Sequence, residues 1–520
     1  MTWLGASFET RTLTLAEWWR KVEALGHSIA SPAEFPGYAA EVAIEAGDIP
    51  RALQWLEHGR SILWAQLLRL RAPLDSVWAC NPELAGQLEK IRSELIKTSS
   101  SPESSSESQR HHDLTQAWEE TIARAHQLPG LENFLQPLPL EKLFGYVKNG
   151  PVVVINCTDA RTDALVVMPA QTGMNGIIHI ALPEVSASKV KQWHLDLVSA
   201  TQDAFTSRTD RFSYRIPSNT EAHSMKNLLR ELWLMVVYPI LKRLEVQVSN
   251  NVVPGLRVYW CPTGGLTFLP LHAAGDYNRV EPGHKIFDFF VSSYIPNLAS
   301  FAHSQRITTS PFSTTEILVV AAPDAEGYSK IPYTDEEISR IKGRVKAVAG
   351  HSVTALSGDA ATRERVVSVI TRARWAHFAC HGIQHPTSPM SSALMLSDKE
   401  TLRLSDIASL DLPHSELAYL SACHTATGMQ TLPSESLHLA AGMLLAGFSG
   451  VIATMWSIKD HYAADVADEV YRHLLVHDQA TPGKHGVAAV ALYLAVQKLR
   501  NSVTDKDFLS WVPYIHIGAS

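Results

Sequence analysis

The chain has 520 residues, of which 46% are hydrophobic and 19% charged, so two or three domains are expected rather than one. Lys and Arg number 45 against 52 Asp and Glu, and the net charge of −7 excludes the strongly basic surface of a protein that binds nucleic-acid duplexes. Five scattered cysteines argue against a disulfide framework and for a reducing compartment. The first residues also lack a secretory-signal pattern. The sequence therefore predicts a cytoplasmic protein that binds neither nucleic acid nor membrane.

Helical patterns dominate the beginning of the chain. A helix over 38–46, a turn with Asp48 as N-cap and a second helix over 49–71 predict a helical hairpin. The hairpin resembles one unit of a tetratricopeptide array, although no second clear copy is found. The Ser-rich segment 99–109 has no apolar residue to bury and is predicted to be a disordered loop. We expect residues 1–135 to form an α-helical, tetratricopeptide-like module.

Strands and helices follow in the rest of the chain. Strand-like segments occur at 150–156, 163–168, 176–181 and 256–261, with an amphipathic helix at 224–244. From residue 316 onward the alternation is regular, with strands at 317–322, 352–356, 375–380, 417–422, 450–454 and 511–517 and helices at 335–348, 361–372, 463–475 and 486–499. This pattern predicts an α/β fold with a mostly parallel sheet flanked by helices on both faces. In such sheets, functional residues gather at the carboxyl ends of the strands.

One apolar segment, residues 437–456, contains no Asp, Glu, Lys or Arg and is long enough to span a bilayer as a single helix. Gly447, Ser449 and Gly450 interrupt it, and the residues that follow are mainly β-branched, aliphatic and aromatic. We therefore predict a buried helix followed by an interior parallel strand.

Two predicted strand ends carry reactive side chains. His381 and Gly382 follow the strand at 375–380, and Cys423 follows the strand at 417–422. A thiolate nucleophile needs a nearby imidazole and backbone N–H groups that stabilise the developing oxyanion. If the two strands are neighbours, the two side chains could converge, and the amides of Gly382 and Cys423 are candidate oxyanion donors.

Several motifs in this region occur in a fixed order and together resemble those of CHAT domains, caspase-like cysteine peptidases of the clan that also contains caspases and separase. One is an apolar strand that ends in His-Gly, and another is a strand that ends in Ser-Ala-Cys-x-Thr-Ala. The motifs lie at 262–273, 377–382, 420–426, 434–447, 453–460 and 511–518. The resemblance covers roughly residues 140 to 520.

The resemblance implies a cysteine endopeptidase that cleaves protein or peptide substrates with His381 and Cys423 as its catalytic dyad. It also implies that residues 136–310 form a degenerate N-terminal half of the CHAT domain and residues 311–520 its caspase-like catalytic half. We predict no cofactor and no metal. The N-terminal helices are expected to bind a regulatory protein.

The sequence departs from caspases around the nucleophile, where Ser-Ala-Cys-His-Thr replaces Gln-Ala-Cys-x-Gly, so aspartate specificity is not expected. Glu435 and Asp460 are candidates for a pocket that accepts a basic side chain, although solvated or helix-capping roles are equally compatible with the sequence. His377 and His424 are expected to be structural or to line a loop. Cys380 is expected to point away from the site, because side chains alternate along a strand.

Three alternatives remain open from the residues. Cys380, His381, Cys423 and His424 supply zinc-binding atom types, but adjacent ligands do not match the usual spacing. A Ser-His hydrolase is disfavoured because no Gly-x-Ser-x-Gly elbow precedes a helix. The main alternative is a catalytically silent scaffold for protein–protein interaction, because a fold and a dyad do not guarantee turnover.

Overall fold

The computed structural model describes residues 35–59, 70, 74–98, 105–132, 134–136, 138–169, 176–204, 219–248, 256–305, 314–324, 331–383, 385, 389–397, 400–421, 439–480, 487–503 and 507–520. Its strands, in chain order, are β1 Val152–Cys157, β2 Thr162–Val167, β3 Ile177–Ala181, β4 Arg257–Pro262, β5 Val291–Tyr294, β6 Thr315–Ala321, β7 His351–Ser357, β8 Trp375–Ala379, β9 Gly382–Ile383, β10 Ala393–Ser397, β11 Glu400–Arg403, β12 Leu417–Leu420, β13 Gly450–Thr454 and β14 Tyr514–Gly518. Its α-helices are α1 Phe35–Glu45, α2 Ile49–Gly59, α3 Asp75–Cys80, α4 Pro82–Thr98, α5 Ser105–Ala125, α6 Leu140–Phe144, α7 Ala187–Ala204, α8 Asn219–Leu232, α9 Tyr238–Arg243, α10 Leu298–Ser304, α11 Thr334–Lys346, α12 Arg363–Ile370, α13 Leu404–Ala408, α14 Leu439–Ala446, α15 Asp460–Ala480, α16 Ala488–Ser502 and α17 Phe508–Trp511.

Eleven of these strands form one sheet in the order β3-β2-β1-β4-β5-β14-β13-β12-β8-β6-β7. The five strands from β13 to β7 are all parallel, and so are β1, β4, β5 and β14. The pairs β1–β2, β2–β3 and β13–β14 are antiparallel. The predicted α/β fold with a mostly parallel sheet flanked by helices is confirmed.

The last strand, β14, joins the two parts of this sheet. It lies parallel to β5, which precedes residue 310, and antiparallel to β13, which follows it. One hydrophobic core also extends over both parts. The predicted halves 136–310 and 311–520 therefore share one sheet and one core, and the boundary between them stays a prediction.

The apolar segment 437–456 contains two elements, as predicted. The helix α14 is buried along its whole length, and β13 lies in the sheet between β12 and β14. Across the part of the chain that the structure describes, no helix is long and apolar enough to cross a membrane.

The N-terminal hairpin forms from α1 and α2. Gly47 adopts a φ of +76° in the turn, a conformation that side chains other than glycine rarely adopt, and the Asp48 carboxylate accepts a hydrogen bond from the Arg51 N–H at 3.1 Å. Asp48 is therefore the N-cap of α2, as predicted. The hairpin is buried against β1, β2 and β4, whereas α3, α4 and α5 form a separate small core. The described residues before position 136 thus belong to two packing units.

The Ser-rich segment is partly helical, which corrects the prediction of a disordered loop over 99–109. Helix α5 begins at Ser105, and residues 99–104 lie outside the described residues. The packing of Trp118 and Ile122 against α4 stabilises a helix that composition alone does not predict.

Some elements of the structure are not predicted from the sequence. A second sheet in the order β11-β10-β9 follows His381, and β9 has only two residues, too few for a periodic signal. Helix α7 also forms, with Val190, Trp193 and Leu197 buried at helical spacing. Helix α8 continues through a π-helical turn, Trp233–Val237, just before Pro239, whose missing N–H cannot complete an α-helical ladder.

Candidate active site

The strands that precede the two predicted catalytic residues are neighbours. Strand β12 pairs with β8 in parallel, with Leu417 opposite Trp375 and Leu420 opposite Phe378. All residues of both strands are buried, so the sheet fixes their relative positions. The carboxyl ends of β8 and β12 therefore lie side by side, which is the arrangement that the predicted dyad requires.

His381 lies two residues beyond the last residue of β8. Its side chain is almost completely buried, with 2% of the residue's surface exposed. Its backbone carbonyl accepts a hydrogen bond of 2.9 Å from the N–H of Met395 in β10. The small sheet therefore holds the backbone of His381 in place directly after β8 ends.

Gly382 begins β9, the edge strand of the small sheet, where it lies opposite Leu394 of β10. The hydrogen bond from Met395 to His381 shows that Gly382 and Leu394 are a non-hydrogen-bonded pair of the antiparallel ladder. In such a pair, the N–H groups point away from the neighbouring strand. The Gly382 N–H is thus directed to the outer side of β9.

The other predicted site residues lie in or next to segments outside the described residues. Cys423, His424 and Glu435 lie outside the described residues, and Asp460 is the first residue of α15, with no description of its side chain. Cys380 is buried in the main core, as predicted.

A buried polar cluster lies beside these strands, and we name its core, Glu337, His377 and Ser421, the Glu337 cluster. His377 Nε2 lies 3.0 Å from Glu337 Oε1, and the hydroxyl of Ser421 donates a hydrogen bond of 3.2 Å to Glu337 Oε2. His377 and Glu337 are 0% and 3% exposed. His377 is therefore a buried residue of β8, as predicted, but it lies against a carboxyl group from α11.

Two tyrosines flank this cluster. The ring of Tyr419 stacks on His377 at 4.7 Å between centroids, and Tyr471 of α15 lies 5.7 Å from the same ring. Burial, with smaller contributions from Tyr514, Glu337 and Tyr471, raises the pKa of Tyr419 well above its usual value. Burial, assisted by Glu337, also raises the pKa of Tyr471. Both phenols therefore stay protonated.

The sequence predictions missed Glu337 and Ser421. A signal for Glu337 was present, because residues 334, 337, 338, 341 and 345 recur at helical spacing and form the buried face of α11. A carboxylate at a core position of an amphipathic helix indicates a buried polar interaction. Ser421 is the first residue of the Ser-Ala-Cys-x-Thr-Ala motif, but nothing in the motif indicates that its hydroxyl contacts Glu337. Within the described ranges, no group of three or more His, Cys, Asp or Glu side chains could hold a metal ion.

The comparison with protein families decides the relationship. The CHAT domain model matches residues 226–519, more than half of the chain. The chain belongs to the CHAT domain family. The match begins later than the resemblance at residue 140 suggested, so the assignment of residues 136–225 to the CHAT domain stays a prediction. No curated protein matches the chain.

Solved structures with the same fold include separase of Saccharomyces cerevisiae in complex with securin. At 3.0 Å resolution, that separase has a TM-score of 0.53 and 10% identity, over 99% of this chain and 38% of the separase chain. A second structure of the complex has a TM-score of 0.48 and 11% identity, and the match covers 97% of this chain and 40% of the separase chain. The Arg-specific cysteine proteinase gingipain R has a TM-score of 0.37 and 11% identity, and the match covers 64% of this chain and 74% of the gingipain chain. The CHAT protein thus spans less than half of the separase chain, and the separase match shows a shared fold.

Proposed function

We propose that this CHAT protein is a cysteine endopeptidase with Cys423 as nucleophile and His381 as general acid and base. The observation that carries the proposal is the parallel pairing of β8 and β12. Phe378 and Leu420 are paired in this register, and His381 and Cys423 each follow one of them by three positions in the sequence, which supports the proposal that the two side chains meet.

The reaction starts with the Cys423 thiolate, whose sulfur attacks the carbonyl carbon of the scissile peptide. The carbonyl electron pair moves onto oxygen, and the outward-directed N–H of Gly382, together with that of Cys423, stabilises this oxyanion. The oxyanion then collapses, the C–N bond breaks, and protonated His381 gives its proton to the leaving amine. His381 next takes a proton from water, which attacks the thioester and releases the acid and the thiolate.

The remaining parts of the proposal concern substrate, regulation and location. Separase is seen bound to a protein, securin, and we propose protein substrates and a regulatory protein partner at the N-terminal helices for this chain as well. Glu435 and Asp460 are proposed to favour a basic side chain before the cleaved bond. The scattered, odd number of cysteines supports a cytoplasmic location.

The test is labelling of the full chain with peptidyl chloromethyl ketones that carry Arg, Asp or Leu next to the reactive group, followed by mass mapping of the modified cysteine. We expect selective modification of Cys423 by the Arg reagent. His381→Ala should slow it by about 10²–10⁴-fold, the usual contribution of general acid–base catalysis.

Cys380→Ala is the matched control, because it removes the thiol next to His381 and should label like the wild type. Cys423→Ala should remove the adduct while the chain remains folded. If Cys423 reacts no faster than the other thiols with any of the three reagents, the peptidase proposal is wrong, and the catalytically silent scaffold becomes the preferred function.

A further inference from the structure

Glu337 places a carboxyl group between the two strands of the proposed site. Helix α11, which carries it, lies against the sheet, and Glu337 contacts His377 of β8 and Ser421, the residue directly after β12. It therefore links one helix to both strands near their carboxyl ends.

The spacing of these contacts relates the cluster to the site. His377 precedes His381 by four positions, and Ser421 precedes Cys423 by two. Glu337 thus contacts each of the two chain segments a few residues before a proposed catalytic residue.

Stability alone does not account for this cluster. Burying a carboxyl group and an imidazole removes both from water, and apolar residues of similar size often stabilise such positions as well or better. The contact of 3.0 Å between His377 Nε2 and Glu337 Oε1 is a close polar contact without the geometry of a good hydrogen bond, and within the described part of the chain His377 Nδ1 has no hydrogen-bond partner. Buried polar groups with this little compensation need an explanation, and a functional role is one that fits their place beside the proposed site.

We propose that Glu337 is a positioning residue, which holds the ends of β8 and β12 in register through His377 and Ser421 so that His381 and Cys423 can meet. This inference rests on the proposed function. Glu337 touches no reacting atom in this role, and its effect is transmitted through the two strands.

The experiment compares Glu337→Gln and Ser421→Ala with the wild-type full chain. Ser421→Thr keeps the hydroxyl, and Glu336→Gln changes the neighbouring, exposed carboxylate of the same helix. The first measurement is amide hydrogen exchange in peptides covering 375–383 and 416–421. The second separates the maximal inactivation rate, kinact, from the binding constant, KI, with the chloromethyl ketone that reacts fastest with the wild type.

We expect Glu337→Gln and Ser421→Ala to accelerate exchange in these two peptides and to lower kinact by about 10- to 100-fold at unchanged KI, since small errors in catalytic geometry have effects of this size. Ser421→Thr and Glu336→Gln should behave like the wild type. Should Glu337→Gln fail to fold, the partly buried Ser421 supplies the same test through its alanine and threonine variants.

The possible failures are distinguishable. If the wild type labels rapidly and Glu337→Gln matches Glu336→Gln in both measurements, the positioning role is wrong and the peptidase proposal stands. If wild-type Cys423 does not label selectively, the peptidase proposal fails, and the positioning role, which rests on it, is overturned as well. Selective labelling of the wild type therefore separates a failure of the positioning role alone from a failure of both proposals.

Discussion

Arg374 immediately precedes β8 and connects buried charges at the amino end of the sheet. Its guanidinium lies 2.8 Å from carboxylate oxygens of both Glu416 and Asp478, and Asp478 also lies 3.0 Å from His351. Burial acts to lower the pKa of Arg374, but the two carboxylates raise it above its usual value. A buried polar network thus lies at the amino ends of β8 and β12, and the Glu337 cluster lies near the carboxyl ends of the same two strands.

We predict that loss of the Arg374 guanidinium has a large effect on the stability of the fold. Arg374→Met should lower the free energy of unfolding by about 3–5 kcal/mol, because it leaves buried carboxylates without their cation. The measurement is urea denaturation of the full chain. Arg340→Met, which removes a more exposed arginine paired with Asp465, should cost less than about 1 kcal/mol. Equal effects of the two substitutions would contradict the buried role of Arg374.

The connection from α14 to β13 illustrates how an element boundary is enforced. Gly447 follows the last helical residue and adopts a φ of +122°. A Cβ atom at this position would lie 2.6 Å from the backbone carbonyl oxygen of Leu412. Glycine is required here both by the backbone conformation and by the close approach of a neighbouring chain segment.

Gly447→Ala should lower the free energy of unfolding by about 1–3 kcal/mol from the backbone conformation alone, and the contact with Leu412 adds to this loss. Gly343→Ala serves as the comparison, because Gly343 lies in the exposed part of α11 and a Cβ atom there meets no neighbour within 4 Å. That substitution should stabilise the chain by about 0.5–1 kcal/mol. Thermal unfolding should show a lower midpoint for Gly447→Ala and a higher midpoint for Gly343→Ala than for the wild type. A destabilised Gly343→Ala variant together with an unaffected Gly447→Ala variant would refute the role of Gly447.

The N-terminal hairpin is attached to the rest of the molecule by packing and by buried hydrogen bonds. The Glu57 carboxylate of α2 accepts hydrogen bonds from the N–H groups of Leu298 and Ala299, at 2.9 and 2.7 Å, in the first turn of α10. The side-chain amide of Asn156 in β1 donates a hydrogen bond of 2.9 Å to the carbonyl of Gly37 in α1. The hairpin is therefore part of the core that covers β1, β2 and β4.

Glu57→Ala is expected to lower the free energy of unfolding by about 1.5–3 kcal/mol, the usual loss for hydrogen bonds to a charged group. Urea denaturation measures this change, and faster hydrogen exchange in α1 and α2 should accompany it. Glu45→Ala, at the exposed end of α1, should change neither the free energy of unfolding nor hydrogen exchange in α1 and α2. A hairpin that folds independently of the sheet would show no difference between the two variants.

Much of the fold is encoded in local patterns that can be read along the chain. Apolar alternation, caps and turn residues place most strands and helices within a few residues, including Asp48 at the start of α2 and the break near Gly447, because these signals depend on neighbours in sequence. The motif at 377–382 also marks His381, since a resemblance is carried by consecutive residues.

Contacts between distant residues are not encoded in this local way. The pairing of β8 with β12, the approach of Glu337 to Ser421 across 84 positions, and the burial of the α1–α2 hairpin against β1 depend on which surfaces meet after collapse. No periodicity along the chain reports such a choice, because side-chain packing and the satisfaction of buried polar groups are properties of the assembled core. The sequence therefore indicates candidate catalytic residues, whereas the neighbours that would position them follow from the packed sheet.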